Sequence, residues 1–113
     1  MTAALDDTAT ARIVRLDDAL TRRGETVILR TGNTTVGQVS VRASVRAYGP
    51  NEIIGLISAQ DREVTVSPTG LETFGAPTTS GFVVINGTPC RVISVRPFRP
   101  GGVLTRIDLQ VRG

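Results

Sequence analysis

From Val39 to Ala47 the chain reads Val-Ser-Val-Arg-Ala-Ser-Val-Arg-Ala, an unbroken alternation. Val39, Val41, Ala43, Val45 and Ala47 fall on one face of an extended chain, and Ser40, Arg42, Ser44 and Arg46 on the other. A helix cannot use this pattern, because a period of two scatters apolar residues around a 3.6-residue turn. The segment therefore demands a sheet with one dry face and one wet face.

The same period returns along the chain. In Glu25–Thr31, Val27 and Leu29 alternate with Thr26, Ile28 and Arg30, and shorter runs follow at Glu63–Ser67, Phe82–Ile85 and Cys90–Arg96. The last run, Val103–Val111, sets Val103, Ile107, Leu109 and Val111 inward and Leu104, Arg106, Asp108, Gln110 and Arg112 outward. Turn residues separate the runs: Gly32-Asn33, Gly49-Pro50, Pro68 to Gly70, the Gly/Pro/Thr/Ser stretch 75–81, Asn86-Gly87, and Pro97 to Gly102. Asn86-Gly87 is a strong hairpin signal.

One segment breaks the period. Between Thr8 and Arg23, Ile13, Leu16 and Leu20 share a helical face. Asp6, Asp7 and Thr8 stand where a helix start wants caps and negative charge, Arg22 and Arg23 occupy its last turn, and Gly24 is placed for a left-handed stop. The 113 residues form one domain: a helix over 8–23, then an all-β antiparallel barrel or sandwich of about six strands over 25–112, with a long inter-strand loop at 49–62.

Composition removes many chemistries. The chain has no lysine, histidine or tryptophan, and its 13 positive charges are all arginines against 10 carboxylates. Without histidine there is no Ser-His or Cys-His pair and no imidazole ligand; without lysine there is no P-loop lysine or Schiff base. The single cysteine, Cys90, makes no intrachain disulfide or thiolate cluster and suits a reducing compartment. The acidic first residues lack an apolar core of the signal-peptide kind, and no run of 18 apolar residues occurs, so neither conventional secretion nor a membrane span is expected. The sequons at Asn33 and Asn86 then have no glycosylation meaning.

The carboxylate pairs Asp6-Asp7 and Asp17-Asp18 point about 100° apart on a helix and serve capping and solvation rather than a metal. Asp61 and Glu63 could share a strand face, but a metal site needs more convergent oxygens. Cys90 has no accompanying base and reads as a packed thiol. No catalytic, cofactor-binding or metal-ligating set emerges.

Two features exceed what a bland fold requires. Arg42 and Arg46 share a face, and Arg91, Arg96, Arg99 and Arg106 crowd the final hairpin. Such arginines can meet phosphate or pair with carboxylates across a protein interface. An OB-like nucleic-acid module is one reading, but single-strand binders stack bases on several exposed rings, and Tyr48, Phe74, Phe82 and Phe98 are all the aromatics available, at least two of them expected in the core. The second feature is the loop, where Tyr48, Ile53, Ile54, Leu56 and Ile57 carry more apolar surface than a free loop exposes. It either folds onto its own barrel or docks on a neighbouring subunit.

The order of elements resembles the head-tail joining, or head completion (stopper), proteins of long-tailed bacteriophages, including the lambda-like family. An N-terminal helix ending near a glycine precedes VSVRASVRAY, a long loop, VTVSPTGL, and then FVVINGTPCRVISVRPFRPGGVLTRIDLQVRG. The resemblance spans Thr8 to Gly113, with Asn86, Gly87, Gly101, Gly102 and the long loop as the matched positions. It implies a non-catalytic virion protein, assembled in the bacterial cytoplasm as a cyclic homo-oligomer, hexameric or dodecameric. The ring would sit at the neck below a portal or adaptor ring and above a tail terminator or tail tube, closing the channel after DNA packaging. It further implies that Tyr48, Ile53, Ile54, Leu56 and Ile57 form an assembly loop. Arg42, Arg46, Arg96 and Arg99 would face either the channel, with non-specific contact to packaged DNA, or an adjoining subunit. A tail terminator or portal adaptor is the nearest alternative, and an adaptor would be more helical.

Overall fold

The computed structural model describes residues 8–32, 37–53, 55, 57–72 and 74–113. Asp6, Asp7, Asn33, Ile54 and Leu56 lie outside the described residues. Among the described residues one α-helix, α1 (Ala9–Arg23), precedes six strands: β1 (Glu25–Arg30), β2 (Val39–Ala47), β3 (Arg62–Val66), β4 (Phe82–Ile85), β5 (Thr88–Phe98) and β6 (Arg106–Arg112). They close into an antiparallel barrel in the order β1-β2-β3-β6-β5-β4, with β4 returning to pair with β1. The alternation in the sequence is thus spent on a barrel with a helix packed outside, as its period demanded.

The interior is aliphatic. Val27 and Leu29 from β1, Ala43 from β2, Val64 and Val66 from β3, and Ile107, Leu109 and Val111 from β6 are buried together. Burying each large aliphatic contributes about 1.5–3 kcal/mol before chain ordering is subtracted. Cys90 is fully buried in the same cluster, the packed thiol its strand position suggested. No aromatic reaches full burial among the described residues, contrary to the expectation that two would fill the core. Phe74 only packs against the cluster. A barrel this narrow is filled by branched aliphatics from all six strands, which leaves no room for rings.

Two departures from strict alternation matter. Between Val92 and Ser94 the β5–β6 register slips by a bulge at Ile93. The extra residue lets Val92 and Val95 both face the core although they are three apart, and it turns Ser94, Arg96 and Phe98 outward opposite Gln110, Asp108 and Arg106. The second is at β6, which begins at Arg106 rather than at Val103. Val103 is 50% exposed, not inward, and Leu104 packs against the core rather than facing out. The three residues before the strand belong to the turn, where the strand's phase does not apply.

The helix is capped by Thr8, whose side-chain oxygen accepts from the Ala11 N–H at 3.1 Å. At its other end Gly24 is extended (φ −88°, ψ −171°), not left-handed. Glycine is needed there for a different reason: a Cβ would lie 2.5 Å from the carbonyl oxygens of both Ala43 and Leu20. The helix runs directly into β1 where β2 passes closely beneath it. At the β4–β5 hairpin, Asn86 (φ 51°) and Gly87 (φ 79°) make the type I′ turn that their sequence announces.

Candidate assembly surface

The long loop leaves β2 at Tyr48 and is fastened at both feet. On the near side, Arg46 points outward from β2 and donates to Glu52 through two nitrogens, each at 2.9 Å, and to Glu63 of β3 at 2.8 Å. Glu52 lies in a short 3₁₀ turn, Pro50–Glu52, and its carboxylate also accepts the Gly49 N–H at 2.8 Å. The Arg46 guanidinium and that backbone N–H hold the Glu52 carboxyl at about 2, below the usual carboxylate range. The same guanidinium lies 5.5 Å from the centre of the Tyr48 ring.

The far foot is Asp61, whose side chain is fully covered. Its carboxylate accepts from Arg112 Nε at 2.7 Å and Nη2 at 3.0 Å, from Gln110 Nε2 at 2.6 Å, and from the Ser58 N–H and hydroxyl, each at 3.0 Å. Arg112 above all, then the Ser58 N–H and the Gln110 amide, hold Asp61 well below the ordinary carboxylate range in spite of its burial. Gln110 and Asp108, which alternation sends outward, are both buried: the loop, Arg106 and Thr65 cover that part of the outer face. Asp61 and Glu63 therefore serve two separate ion pairs, 61 with Arg112 and 63 with Arg46.

Between these feet stands the apolar stretch. Ile53 is 39% exposed, while Tyr48 and Ile57 are half-buried and line a recess of about 310 Å³ over β3, β5 and β6. The described part of the loop is neither free nor folded away: Tyr48 and Ile57 rest on the barrel and Ile53 faces solvent.

The four singled-out arginines do not gather into one patch. Arg42 is a helix fastener: Nε donates to the Leu20 carbonyl at 3.2 Å and Nη2 to those of Thr21 and Gly24 at 3.2 and 2.6 Å, covering the carbonyls left over at the end of α1. Arg46 holds the loop, as described. Arg96 lies on one side of the β5–β6 arm, 5.7 Å from the centre of the Phe98 ring. Arg99 stands at the arm's tip, where its carbonyl accepts the Gly102 N–H at 3.0 Å. The sequence offered Asp61 only as a strand-face partner of Glu63 and Arg112 only as an outward residue; no local pattern links positions 51 apart, and only barrel closure brings them together.

Among the described residues no group of three or more His, Cys, Asp or Glu side chains is arranged to hold a metal ion, and no helix is long and apolar enough to cross a membrane. No protein-family model matches the chain, and no curated protein matches it in sequence.

Proposed function

We propose that the chain is a structural subunit of a tailed-bacteriophage neck. It assembles as a cyclic homo-oligomer, a hexamer or dodecamer, beneath the portal or adaptor ring, closes the channel after DNA packaging and gives the tail terminator or tail tube its attachment surface. One observation carries this reading: a loop clamped at both feet by ion pairs, Arg46 with Glu52 and Asp61 with Arg112, holds Ile53 exposed between them. Fixing a loop in advance lowers the ordering cost of docking it, and an exposed aliphatic side chain gains only when a neighbour covers it. The closed barrel supports the same reading, since a closed sheet leaves little strand edge for uncontrolled pairing and puts assembly in the hands of side chains and loops.

A portal adaptor draws less support from a chain whose described residues form one α-helix of 15 residues and six strands. A tail terminator shares the neck and the strand content. The OB-like alternative lacks the ring platform it needs: of the described aromatics only Phe98 reaches 36% exposure.

The test is assembly. With Ile53, Ile54, Leu56 and Ile57 changed to serine, the monomer keeps its circular dichroism spectrum and cooperative melt but no longer enters connectors built with head and tail components, as read by electron microscopy and co-sedimentation. Collapse of the isolated monomer would place the loop in the core and overturn the proposal. Tight single-strand DNA binding by the isolated chain at physiological salt would favour the OB-like reading instead.

A further inference from the structure

β5 pairs with β4 only as far as Arg91 and continues with β6 to Phe98. The turn that closes this ribbon carries Val103, 50% exposed, and Phe98 at its base is 36% exposed. The turn is stiff: the Gly102 N–H donates to the Arg99 carbonyl at 3.0 Å, the Val103 N–H to that of Pro100 at 3.3 Å and the Thr105 N–H to that of Phe98 at 2.9 Å. Arg106 is engaged by Asp108, whereas Arg99 pairs with no described carboxylate. The tip is thus a fixed knob that offers apolar surface and one cation.

β1 runs in the same direction as β5, so the end of β1 and the start of β2 lie at the same end of the barrel as this tip. They lie on the opposite side of it, with β3 intervening one way round and β4 the other. There Thr31, Gly37, Gln38 and Val39, with Gly70 and Phe74 from the segment after β3, line a recess of about 540 Å³. Val39 and Phe74 are half-buried against the core and give the recess an apolar wall. Beside Gly70 stand two carboxylates held by neutral donors: Glu72 accepts the Gly70 N–H at 3.1 Å, and Asp17 accepts the Thr69 hydroxyl at 2.7 Å. Neither forms an ion pair with a described arginine. On the β1 side Arg30 is tied to Gln38 at 3.2 Å.

We infer that the β5–β6 tip of one copy docks in this recess of a second copy, with Val103 against Val39 and Phe74 and Arg99 against Glu72. Charge and apolar character match across the two surfaces: a cation without an acid meets an acid without a cation, and an exposed valine meets an apolar wall. Because knob and recess face away from each other, one chain cannot satisfy its own, and each copy keeps one free surface after meeting a neighbour. Such a head-to-tail contact closes into a ring when its rotation divides the circle. The loop at 48–61 joins the opposite end of the barrel and is left for a different neighbour. Closure into a ring rests on the neck reading; the contact itself belongs to the chain alone.

The experiment is sedimentation of the purified full chain over a range of concentrations. At low salt the parent's average mass rises with concentration, and added salt weakens the rise. Arg99→Glu and Glu72→Arg each weaken association roughly tenfold or more, because each sets like charges against one another. An equimolar mixture of the two, and the double variant Arg99→Glu/Glu72→Arg, recover it. Val103→Ser weakens association without altering charge. Arg91→Glu makes the same change of net charge as Arg99→Glu at an exposed site near the other end of β5, and associates as the parent does. A parent that stays monomeric at every concentration, a double variant that melts as the parent but does not recover, or an equal loss in Arg91→Glu would each overturn the inference. Connectors that form from a chain without this self-association sink the contact and leave the neck reading; self-association by a chain that never joins head or tail components does the reverse.

Discussion

The loop at 48–61 and the turn at 99–105 both carry arginine, and they use it in opposite ways. Around the loop every guanidinium that touches it has acid on hand: Arg46 holds Glu52 and Glu63, and Arg112 holds Asp61. Around the turn, Arg106 holds Asp108, and Arg99 lines a cleft with Arg12 and Arg15. A net charge of +3 is small, so what distinguishes the regions is where the 10 acids were placed. Acid-paired arginine stitches the fold, whereas Arg99 holds the turn only through its backbone carbonyl. The two should therefore respond differently to removal: the paired arginines in stability, Arg99 hardly at all.

The largest effect is expected at Asp61. Replacing it with alanine strands the Arg112 guanidinium and the Gln110 amide and unties the Ser58 turn, at a cost of about 3 kcal/mol, since a covered carboxylate and its partners lose one another at once. A urea midpoint within error of the parent would mean that the far foot is not fastened as described. The pH dependence has a definite sign. Asp61 has a folded pKa depressed below the unfolded value of about 4. Its contribution is therefore fully present above that value and fades as pH falls through the lower, folded one. Glu52, held at about 2, acts in the same direction. Acid titration of the melting temperature should show Asp61→Asn falling less steeply than the parent below about pH 4.

Arg42→Ala comes next, at about 1 kcal/mol, because three carbonyls at the end of α1 lose a charged donor but can turn to water. Frayed helical circular dichroism at the far-ultraviolet minimum, with the barrel's amide exchange unchanged, is the expected signature. Arg46→Ala has a smaller effect on global stability, since its ion pairs are solvent-exposed, and its readout is local. Limited proteolysis within 49–57 should speed up several-fold while the melt shifts by a few degrees. Equal protection in parent and variant would break the distinction between a fastened loop and a free one.

How much of this could be read beforehand follows from the range of each interaction. The barrel was legible because alternation is local: Val39–Ala47 states its own dry face, and Asn86-Gly87 its own turn. The helix was legible at Thr8 and at its apolar stripe, yet Gly24 was misjudged, because the close approach of β2 cannot be seen from the helix sequence. Val103 was misjudged because apolar character alone does not tell where a strand begins, and the turn that claims it is set by Gly101 and Gly102. The loop's apolar content was plain, but its feet were not: Asp61 with Arg112, and Arg46 with Glu63, are joined across strands. The cleft was half legible: Arg99 and Arg106 crowd the final hairpin in the sequence, while Arg12 and Arg15 line the same cleft from α1, which no local pattern shows.

The smallest change in stability is expected where the comparison is sharpest. Arg99→Gln removes a guanidinium that lines a cleft with Arg12, Arg15 and Arg106 and leaves the Arg106–Asp108 pair intact. Its unfolding free energy should stay within about 0.5 kcal/mol of the parent in low salt, and any shift should be upward. A drop of more than about 1 kcal/mol in Arg99→Gln would place Arg99 among the arginines that stitch the fold.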